Sequence, residues 1–238
     1  MGLVDIHSHI LHGVDDGSKS LQMSLEILEM MKKQGITDVI ATPHFDAFSE
    51  SIEDFNEKVN TALTELNSAT AGLDLPNIHI GCEVYYFGGI GKSYGIRNLT
   101  LAGSEYLLLE LPFTTIDDNI IKDINNLCST VGVIPIIAHI ERYHRFKGFK
   151  RILKLIESGE ILAQVNAPSI LDSHFRRITI KLIKKGYVSY IATDSHSTDR
   201  RPPMLEQALN EIERLFGKTQ RNIIVKNLNN LYNNIFSK

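Results

Sequence analysis

Residues Leu3-Val4-Asp5-Ile6-His7-Ser8-His9 form a short apolar segment that ends in two histidines. The segment predicts a buried β-strand over residues 3–7. Other apolar segments of the chain end in the same way, in a residue that can bind a metal: His44, Glu83, Glu110, His139, Asp194 and His196. Because the downstream ends of all strands meet on one face of a parallel barrel, the pattern predicts one site on that face.

Short apolar segments alternate with longer amphipathic ones along the whole chain. Strands are predicted at residues 3–7, 38–41, 77–82, 106–111, 133–138, 161–165 and 188–192. Helices are predicted at residues 18–34, 52–67, 119–130, 148–158, 174–185, 203–216 and 223–236. This alternation predicts an α/β fold whose parallel sheet of about seven strands closes, or nearly closes, into a barrel. No linker or repeat divides the sequence, so residues 1–238 are interpreted as a single domain.

Charge and cysteine content restrict the expected partners and compartment. Lysine and arginine number 25 against 28 acidic residues, and the net charge of −3 gives no electrostatic reason to bind nucleic acid or an anionic membrane. The apolar runs are too short to cross a bilayer, and the first residues lack the features of a signal peptide. Two cysteines do not indicate a disulfide scaffold, so the expected location is the cytoplasm.

Several polar residues have the chemistry of metal ligands. His7 and His9 are separated by one residue, so at the end of an extended strand both imidazoles point the same way. Asp5 is interpreted as a hydrogen-bond acceptor that orients one of these rings, and Asp16 in the following loop as a further ligand. Glu110 lies in an otherwise apolar strand, where a carboxylate is costly unless it is paired, protonated or bound to metal. Imidazoles and carboxylates without thiolates favour manganese, iron or zinc.

Arginines follow two of the predicted ligands closely. Arg142 comes three residues after His139, and Arg201 comes five residues after His196, with Arg200 as an alternative to Arg201. The planar guanidinium group of arginine suits phosphate oxygens. The residues alone therefore predict a metal-dependent phosphoesterase in which a hydroxide held by metal ions attacks phosphorus in line.

Five segments taken together resemble the motifs of the polymerase-and-histidinol-phosphatase (PHP) superfamily. They are Asp5-Ile6-His7-Ser8-His9, Thr42-Pro43-His44, Gly81-Cys82-Glu83, Ala138-His139 and Thr193-Asp194-Ser195-His196. Within this superfamily the chain is similar to the bacterial manganese-dependent tyrosine-protein phosphatases of the CpsB and YwqE type. That closer similarity extends over essentially the whole chain and rests on Val14-Asp15-Asp16-Gly17, Glu83-Val84-Tyr85-Tyr86, Ala138-His139-Ile140-Glu141-Arg142-Tyr143 and Ser195-His196 followed by Arg201-Pro202-Pro203.

The resemblance implies a distorted (β/α)7 barrel, similar to a TIM barrel, that holds three divalent ions, with Mn²⁺ expected and iron or zinc as alternatives. The implied ligand groups are His7, His9, Glu83 and Asp194 for one ion, Glu83, Glu110 and His139 for a second, and Asp16, His44 and His196 for the third. Arg142 and Arg201 would bind phosphate. The implied substrate is phosphotyrosine, especially on a bacterial tyrosine kinase that controls capsule or exopolysaccharide synthesis.

Other functions remain open at this point. A histidinol-phosphate phosphatase, or another small-molecule phosphoesterase of the superfamily, would have an equivalent metal site and a different substrate rim. A non-catalytic binding module is disfavoured because every expected ligand type is present, and an exonuclease is disfavoured by the acidic net charge. Neither Cys82 nor Cys128 is followed six residues later by arginine, as a cysteine-dependent phosphatase requires. The glycine-rich residues 86–95 are expected to form a mobile rim loop, and the oligomeric state is left open.

Overall fold

The computed structural model describes residues 2–236 and has an α/β fold. Within these residues the strands are β1 (Leu3–Ser8), β2 (Ile36–Ala41), β3 (His44–Phe45), β4 (Asn77–Ile80), β5 (Glu83–Tyr85), β6 (Tyr106–Glu110), β7 (Ile134–Ile137), β8 (Leu162–Asn166) and β9 (Tyr190–Ala192). The α-helices are α1 (Leu21–Lys33), α2 (Ile52–Thr70), α3 (Asp118–Asn126), α4 (Phe149–Glu157), α5 (Pro168–Leu171), α6 (Ser173–Lys184), α7 (Leu205–Phe216) and α8 (Lys218–Phe236). Each predicted strand and helix has a counterpart in this order.

All strand pairs of the sheet are parallel. One set has the order β1-β2-β4 and the other has the order β3-β5-β6-β7-β8-β9. The two sets meet where the backbone N–H of Asp194 donates to the carbonyl of His7 at 2.8 Å and that of His9 donates to Ser195 at 2.8 Å. The strands therefore form a curled, barrel-like parallel sheet whose downstream ends lie together, as the alternating pattern predicts.

Two strand segments are interrupted directly before predicted ligands. Two residues separate β2 from β3, and two more separate β4 from β5, although the prediction treats residues 77–82 as one strand that ends before Glu83. At the second break Gly81 packs closely, since a Cβ there would lie 2.7 Å from a side-chain carbon of Leu101. The short segments that follow pair His44 with Glu83, which brings the two predicted ligands side by side.

The ends of α1 follow from its flanking residues. The prediction begins this helix at residue 18, but it starts at Leu21 because the side chain of Ser20 accepts a hydrogen bond from the N–H of Met23 and caps the helix. The helix ends before Gly35, whose φ of +76° lies in the left-handed region that favours glycine. Its buried side chains Ile27, Leu28 and Met31 have the spacing of one helical face and pack into the core.

The glycine-rich segment over residues 86–95, which the sequence predicts to be a mobile rim loop, contains short helical turns. It forms the 3₁₀ helix Ile90–Lys92 and the start of Tyr94–Leu99, and it packs against α3. Asp123 of α3 accepts hydrogen bonds from the Tyr86 hydroxyl and the Gly89 N–H, both at 2.9 Å. A Cβ at Gly91 would lie 2.5 Å from the Asp123 carbonyl. Gly91 therefore allows a close backbone contact, and the mobility of the segment stays a prediction.

One contiguous set of buried side chains forms the hydrophobic core of the described residues. It includes Leu107, Leu108 and Leu109 of β6, all fully buried, as expected for a strand covered on both faces. Helices outside the sheet complete this core. Within residues 2–236, no helix combines the length and the apolar character that crossing a membrane requires.

Candidate metal centre

The predicted ligands converge on one face of the sheet. His7, His9, Glu83, His139 and Asp194 are buried at 3% exposure or less, and Glu110 is 8% exposed. His44 at the start of β3 and Asp16 in the loop after β1 are more accessible, with 33% and 66% of their side chains exposed. The structure thus brings together all nine side chains that the sequence singles out as metal-capable: His7, His9, Asp16, His44, Glu83, Glu110, His139, Asp194 and His196.

The most buried group contains His7, His9, Glu83 and Asp194. His7 Nε2 lies 3.1 Å from Glu83 Oε2 and 3.4 Å from Asp194 Oδ1. His9 Nε2 lies 3.3 Å from the same Glu83 atom and 3.4 Å from the same Asp194 atom. Ligands about 2.1 Å from a divalent ion stand about 3.0–3.4 Å from one another. The spacing of these four side chains therefore fits a single ion.

Glu83 also contributes to a second group. His139 Nε2 lies 2.9 Å from Glu83 Oε1 and 3.3 Å from Glu110 Oε1. His44 Nδ1 approaches Glu83 Oε2 at 3.1 Å, and the ligand atoms of His44, Glu83 and Glu110 lie within 4.8 Å of one another. The two oxygens of Glu83 thus face different sets of donors, which is the arrangement of a carboxylate that bridges two ions.

A third group lies nearer to the surface. Asp16 Oδ1 is 3.5 Å from His44 Nε2 and 3.3 Å from His196 Nε2. His9 joins this group, because its ligand atom also lies within 4.8 Å of the other three. Two buried atoms of the centre, Glu83 Oε2 and His196 Nε2, have no hydrogen-bond partner among the described residues. Buried polar atoms without a partner are costly, so this donor set fits bound cations.

Burial and neighbouring charges shift the pKa values of several groups in the centre. Burial would raise the pKa values of Glu83 and Asp194, but the neighbouring histidines, together with Arg201 beside Asp194, outweigh it and hold both well below their usual range. Burial would lower the pKa of His139, but its hydrogen bonds to Glu110 and Glu83 raise it to about 9. Burial and the charge of His9 lower the pKa of His196 to about 3. Ionised carboxylates among imidazoles are the state that metal binding requires.

Two of the predicted ligands have an unusual backbone conformation. His139 has φ +33° and Asp194 has φ +51°, and each lies two residues after the end of its strand, β7 or β9. A non-glycine residue with positive φ is sterically disfavoured and persists where the surrounding structure holds it. At these positions the left-handed turn directs the side chain back over the strand ends, toward Glu83 and His7.

The residues that orient the ligands differ in part from those predicted. Asp15, and not Asp5, accepts the hydrogen bond from His9 Nδ1 at 2.7 Å, and it also accepts from the His44 N–H at 3.0 Å. Asp5 accepts instead from the N–H of Thr193 at 2.9 Å, because it lies deeper in β1 beside the neighbouring strand. The interpretation of Asp5 as the partner of an imidazole is therefore wrong.

Sequence reasoning missed two further residues, both on β8. Gln164 Oε1 accepts from the His139 N–H at 2.8 Å and lies 3.3 Å from His7 Nδ1. Asn166 Nδ2 donates to Asp194 Oδ2 at 2.5 Å. The sequence does contain a signal for both residues: Gln164 and Asn166 are polar residues two positions apart in an apolar strand, so they share one face of the sheet. Such outer partners fix the orientation of the ligands themselves.

The two predicted arginines meet at one carboxylate oxygen. Arg142 Nη2 and Arg201 Nη2 lie 3.0 Å and 2.6 Å from Asp194 Oδ2. Both line a cavity of about 220 Å³, and Arg200 lines it too without approaching Asp194. Arg201 is thus the arginine held at the metal centre. Both guanidinium groups therefore lie beside the predicted metal ligand Asp194.

An aromatic side chain lies at the mouth of the centre. Phe113 is 47% exposed and stacks on Tyr143, with ring centroids 5.4 Å apart and planes 14° apart. Its ring also lies 6.0 Å from that of His139. The Tyr143 hydroxyl accepts from the Leu111 N–H at 3.0 Å, which fixes the ring beneath Phe113. No pattern in the sequence singles out Phe113.

Comparisons with known proteins agree with this geometry. A family model for capsular polysaccharide synthesis proteins, CpsB/CapC, matches residues 3–233. The CapC protein of Staphylococcus aureus is 36% identical over 219 residues, which cover 88% of this chain and 83% of that protein. The tyrosine-protein phosphatase CpsB of Streptococcus agalactiae is 31% identical over 98% of this chain and 99% of its own length.

Solved structures show the same relationship. One chain from the crystal structures of YwqE of Bacillus subtilis and CpsB of Streptococcus pneumoniae, described as unique metal-dependent tyrosine phosphatases, superposes with a TM-score of 0.85. The alignment has 26% identity and covers 98% of this chain and 95% of the other. The resemblance predicted from the motifs is thereby confirmed. The chain belongs to the CpsB/CapC family of capsular polysaccharide synthesis proteins.

Proposed function

We propose that the chain is a metal-dependent tyrosine-protein phosphatase that hydrolyses phosphotyrosine. One observation carries the proposal: the buried Glu83 faces His7, His9, His44 and His139, while Arg142 and Arg201 meet at the adjacent Asp194. This combination joins a site for several cations to a site for an anion. Relatives that are 31% identical over nearly their whole length are named as tyrosine-protein phosphatases.

The proposed centre holds three divalent ions, with Mn²⁺ as the metal. His7, His9, Glu83 and Asp194 would hold one ion, Glu83, Glu110 and His139 a second, and Asp16, His44 and His196 the third, as three overlapping donor groups suggest. Bound divalent ions lower the pKa of water and neutralise charge on a phosphoryl group. Oxygen and nitrogen donors without thiolates suit Mn²⁺, and iron or zinc remain alternatives.

The two arginines are proposed to hold the phosphoryl oxygens of the substrate. Both guanidinium groups already carry a hydrogen bond to Asp194 Oδ2, so their positions are set before substrate arrives. An arginine fork binds phosphate oxygens through two parallel hydrogen bonds. As negative charge accumulates on these oxygens during in-line displacement, fixed donors stabilise it without reorganising.

The proposed leaving group is the phenolate of tyrosine. A phenol has a pKa near 10, so its departure needs less help from a general acid than that of an alkyl alcohol such as histidinol. Phe113 at the mouth of the centre offers a stacking surface for a phenyl ring. This aromatic surface favours phosphotyrosine over histidinol phosphate, which remains the second candidate substrate.

The partner proposed for this enzyme is a bacterial tyrosine kinase that controls capsule or exopolysaccharide synthesis. The description of the matching family as capsular polysaccharide synthesis supports the pathway. We place the enzyme in the cytoplasm, where its cysteines Cys82 and Cys128 would stay reduced.

We also propose that residues 1–238 form one domain with a (β/α)7 barrel. The count of seven treats β2 with β3, and β4 with β5, as two interrupted strands. Hydrogen bonds that cross both interruptions support it, from Gly81 N–H to the Ala41 carbonyl at 2.8 Å and from Glu83 N–H to the Pro43 carbonyl at 3.1 Å.

The proposed function is tested by comparing three substrates with the same protein preparation. A phosphotyrosine peptide, histidinol phosphate and single-stranded DNA are incubated with protein that has been supplied with Mn²⁺, and phosphate or nucleotide release is measured. We expect the phosphotyrosine peptide to have the highest kcat/KM. A higher kcat/KM for histidinol phosphate would make histidinol phosphate, and not phosphotyrosine, the assigned substrate. The absence of turnover on all three substrates would favour a binding module.

A further inference from the structure

A second concave surface lies outside the metal centre, between α4 and α6. This groove has a volume of about 720 Å³, within the range typical of ligand sites. Its floor is apolar and includes Phe149, Leu153, Ile178 and Leu182. Its rims carry the five lysines Lys147, Lys150, Lys154, Lys181 and Lys185. We call this surface the lysine groove.

The charge of the lysine groove is not compensated within the described residues. All five lysines are exposed, and the lysines that form ion pairs within residues 2–236 are Lys32 and Lys58, which lie elsewhere. Glu157 is the one acidic residue that lines the groove, and it accepts a hydrogen bond from the Tyr187 hydroxyl. Because the whole chain has a net charge of −3, this excess of positive charge is local.

The lysines come from α4, α6 and the residues next to these helices. Lys150 and Lys154 are four residues apart on α4, so they project from the same helical face. Lys181 lies near the end of α6, and Lys185, four residues after Lys181, directly follows the last residue of that helix. Two positively charged rims thus flank an apolar floor. Such a surface complements a chain that carries both negative charges and apolar or aromatic side chains.

The lysine groove adjoins the arginine cavity of the metal centre. His144, two residues after Arg142, lines the groove. Its ring contacts that of Phe175 edge to face at 6.5 Å, and Phe175 lines the arginine cavity. The two spaces are therefore lined by neighbouring side chains, His144 and Phe175. A peptide that places one residue among the arginines can place a neighbouring segment in the groove.

We propose that the lysine groove docks an anionic peptide segment of the substrate while a phosphotyrosine of the same chain lies at the metal centre. This inference rests on the proposed phosphatase function and adds a binding site to it. A concave groove with an apolar floor fits a peptide chain better than a flat membrane surface. The net charge of −3 argues against an extended nucleic acid.

The test compares the double variant Lys154→Glu/Lys181→Glu with the control Lys122→Glu/Lys226→Glu, whose exposed lysines lie on α3 and α8. Three substrates are used: a phosphotyrosine peptide with flanking glutamates, the same peptide with flanking serines, and p-nitrophenyl phosphate. In the groove variant we expect KM for the acidic peptide to rise about tenfold with kcat unchanged. The other two substrates and the control variant should keep wild-type values. Equal KM values for the acidic peptide in both variants would overturn the proposal.

A binding measurement separates failure of the groove from failure of the proposed function. Fluorescence anisotropy of a labelled, unphosphorylated glutamate-rich peptide reports docking without turnover. Binding that weakens about tenfold in the groove variant and not in the control supports the groove even if the protein hydrolyses no phosphotyrosine. Absence of this binding in an active enzyme rejects the groove alone. Tighter binding of a single-stranded oligonucleotide or an anionic vesicle through the same lysines would reject a peptide as the occupant.

Discussion

The metal centre and the lysine groove both concentrate charge, but they do so in opposite ways. At the strand ends, the buried Glu83 and Asp194 lie 3.1 Å and 3.4 Å from His7, so the carboxylates have an imidazole partner inside the protein. In the groove, five exposed lysines lie without ion-pair partners in the described part of the chain. Burying a charge is costly unless it is paired, whereas an exposed lysine remains solvated. The charges of the metal centre are therefore held in place for catalysis. The exposed charges of the lysine groove remain free to bind a ligand and to be screened by salt.

The largest effect is expected from the carboxylate shared by the donor groups. Glu83→Gln keeps the shape of the side chain but removes the negative charge that faces four histidines. We expect kcat on a phosphotyrosine peptide to fall by on the order of 10³-fold. Bound metal, measured by elemental analysis, should fall with it. The exposed Glu105→Gln is the matched control. Wild-type turnover in Glu83→Gln would refute the shared-ligand assignment.

A smaller effect is expected from the acceptor that orients His9. Asp15→Asn would weaken the hydrogen bond to His9 Nδ1 and leave every proposed ligand in place. Outer partners of this kind typically contribute about 10- to 100-fold in metal affinity. Titration of metal-free protein with Mn²⁺ should therefore show a loss in that range, with activity restored at high metal concentration. An unchanged Mn²⁺ affinity would show that His9 is oriented by other contacts.

The aromatic surface at the mouth should affect substrate binding and not the chemical step. In Phe113→Ala we expect KM for a phosphotyrosine peptide to rise about fivefold, since an aromatic pair contributes about 0.5–1.5 kcal/mol. The value of kcat should change little. Phe48→Ala is the control, because Phe48 is 78% exposed and lies outside the centre. Equal KM values in Phe113→Ala and Phe48→Ala would show that Phe113 does not contribute to substrate recognition.

The smallest expected effect is the salt dependence of KM, which should differ between the lysine groove and the metal centre. Raising the ionic strength shortens the Debye length from about 10 Å at 0.1 M to about 3 Å at 1 M, and it screens exposed charges far more than buried ones. KM for the glutamate-flanked peptide should therefore rise about threefold over this range. KM for p-nitrophenyl phosphate should stay nearly constant. Parallel changes for both substrates would indicate that the groove does not contribute.

The ligands of the centre could be predicted because strand ends are visible in the sequence. Metal-capable residues that follow apolar segments, such as His139 after residues 133–138, need only a parallel sheet to bring them together. Asp15 could not be distinguished from Asp5, since the choice depends on which side chain lies beside Thr193 of the neighbouring strand end.

Other features depend on the closed fold and not on any one segment. The role of Asn166 appears only when β8 lies next to β9 and the amide reaches Asp194. The lysine groove joins residues 147–154 with residues 181–185, and each stretch alone is typical of a solvated helix face. The close packing of Gly91 on α3 likewise depends on the fold, since the glycines at residues 86–95 by themselves suggest mobility.

The most direct test of the account is reconstitution of the metal centre. The protein is stripped with a strong chelator, freed of chelator, and titrated with Mn²⁺ while hydrolysis of a phosphotyrosine peptide is followed. We predict negligible turnover in stripped protein and a rise to a plateau near three equivalents of Mn²⁺ per chain. Full activity in the stripped protein would contradict the central claim that His7, Glu83, His139 and their neighbours act by binding metal.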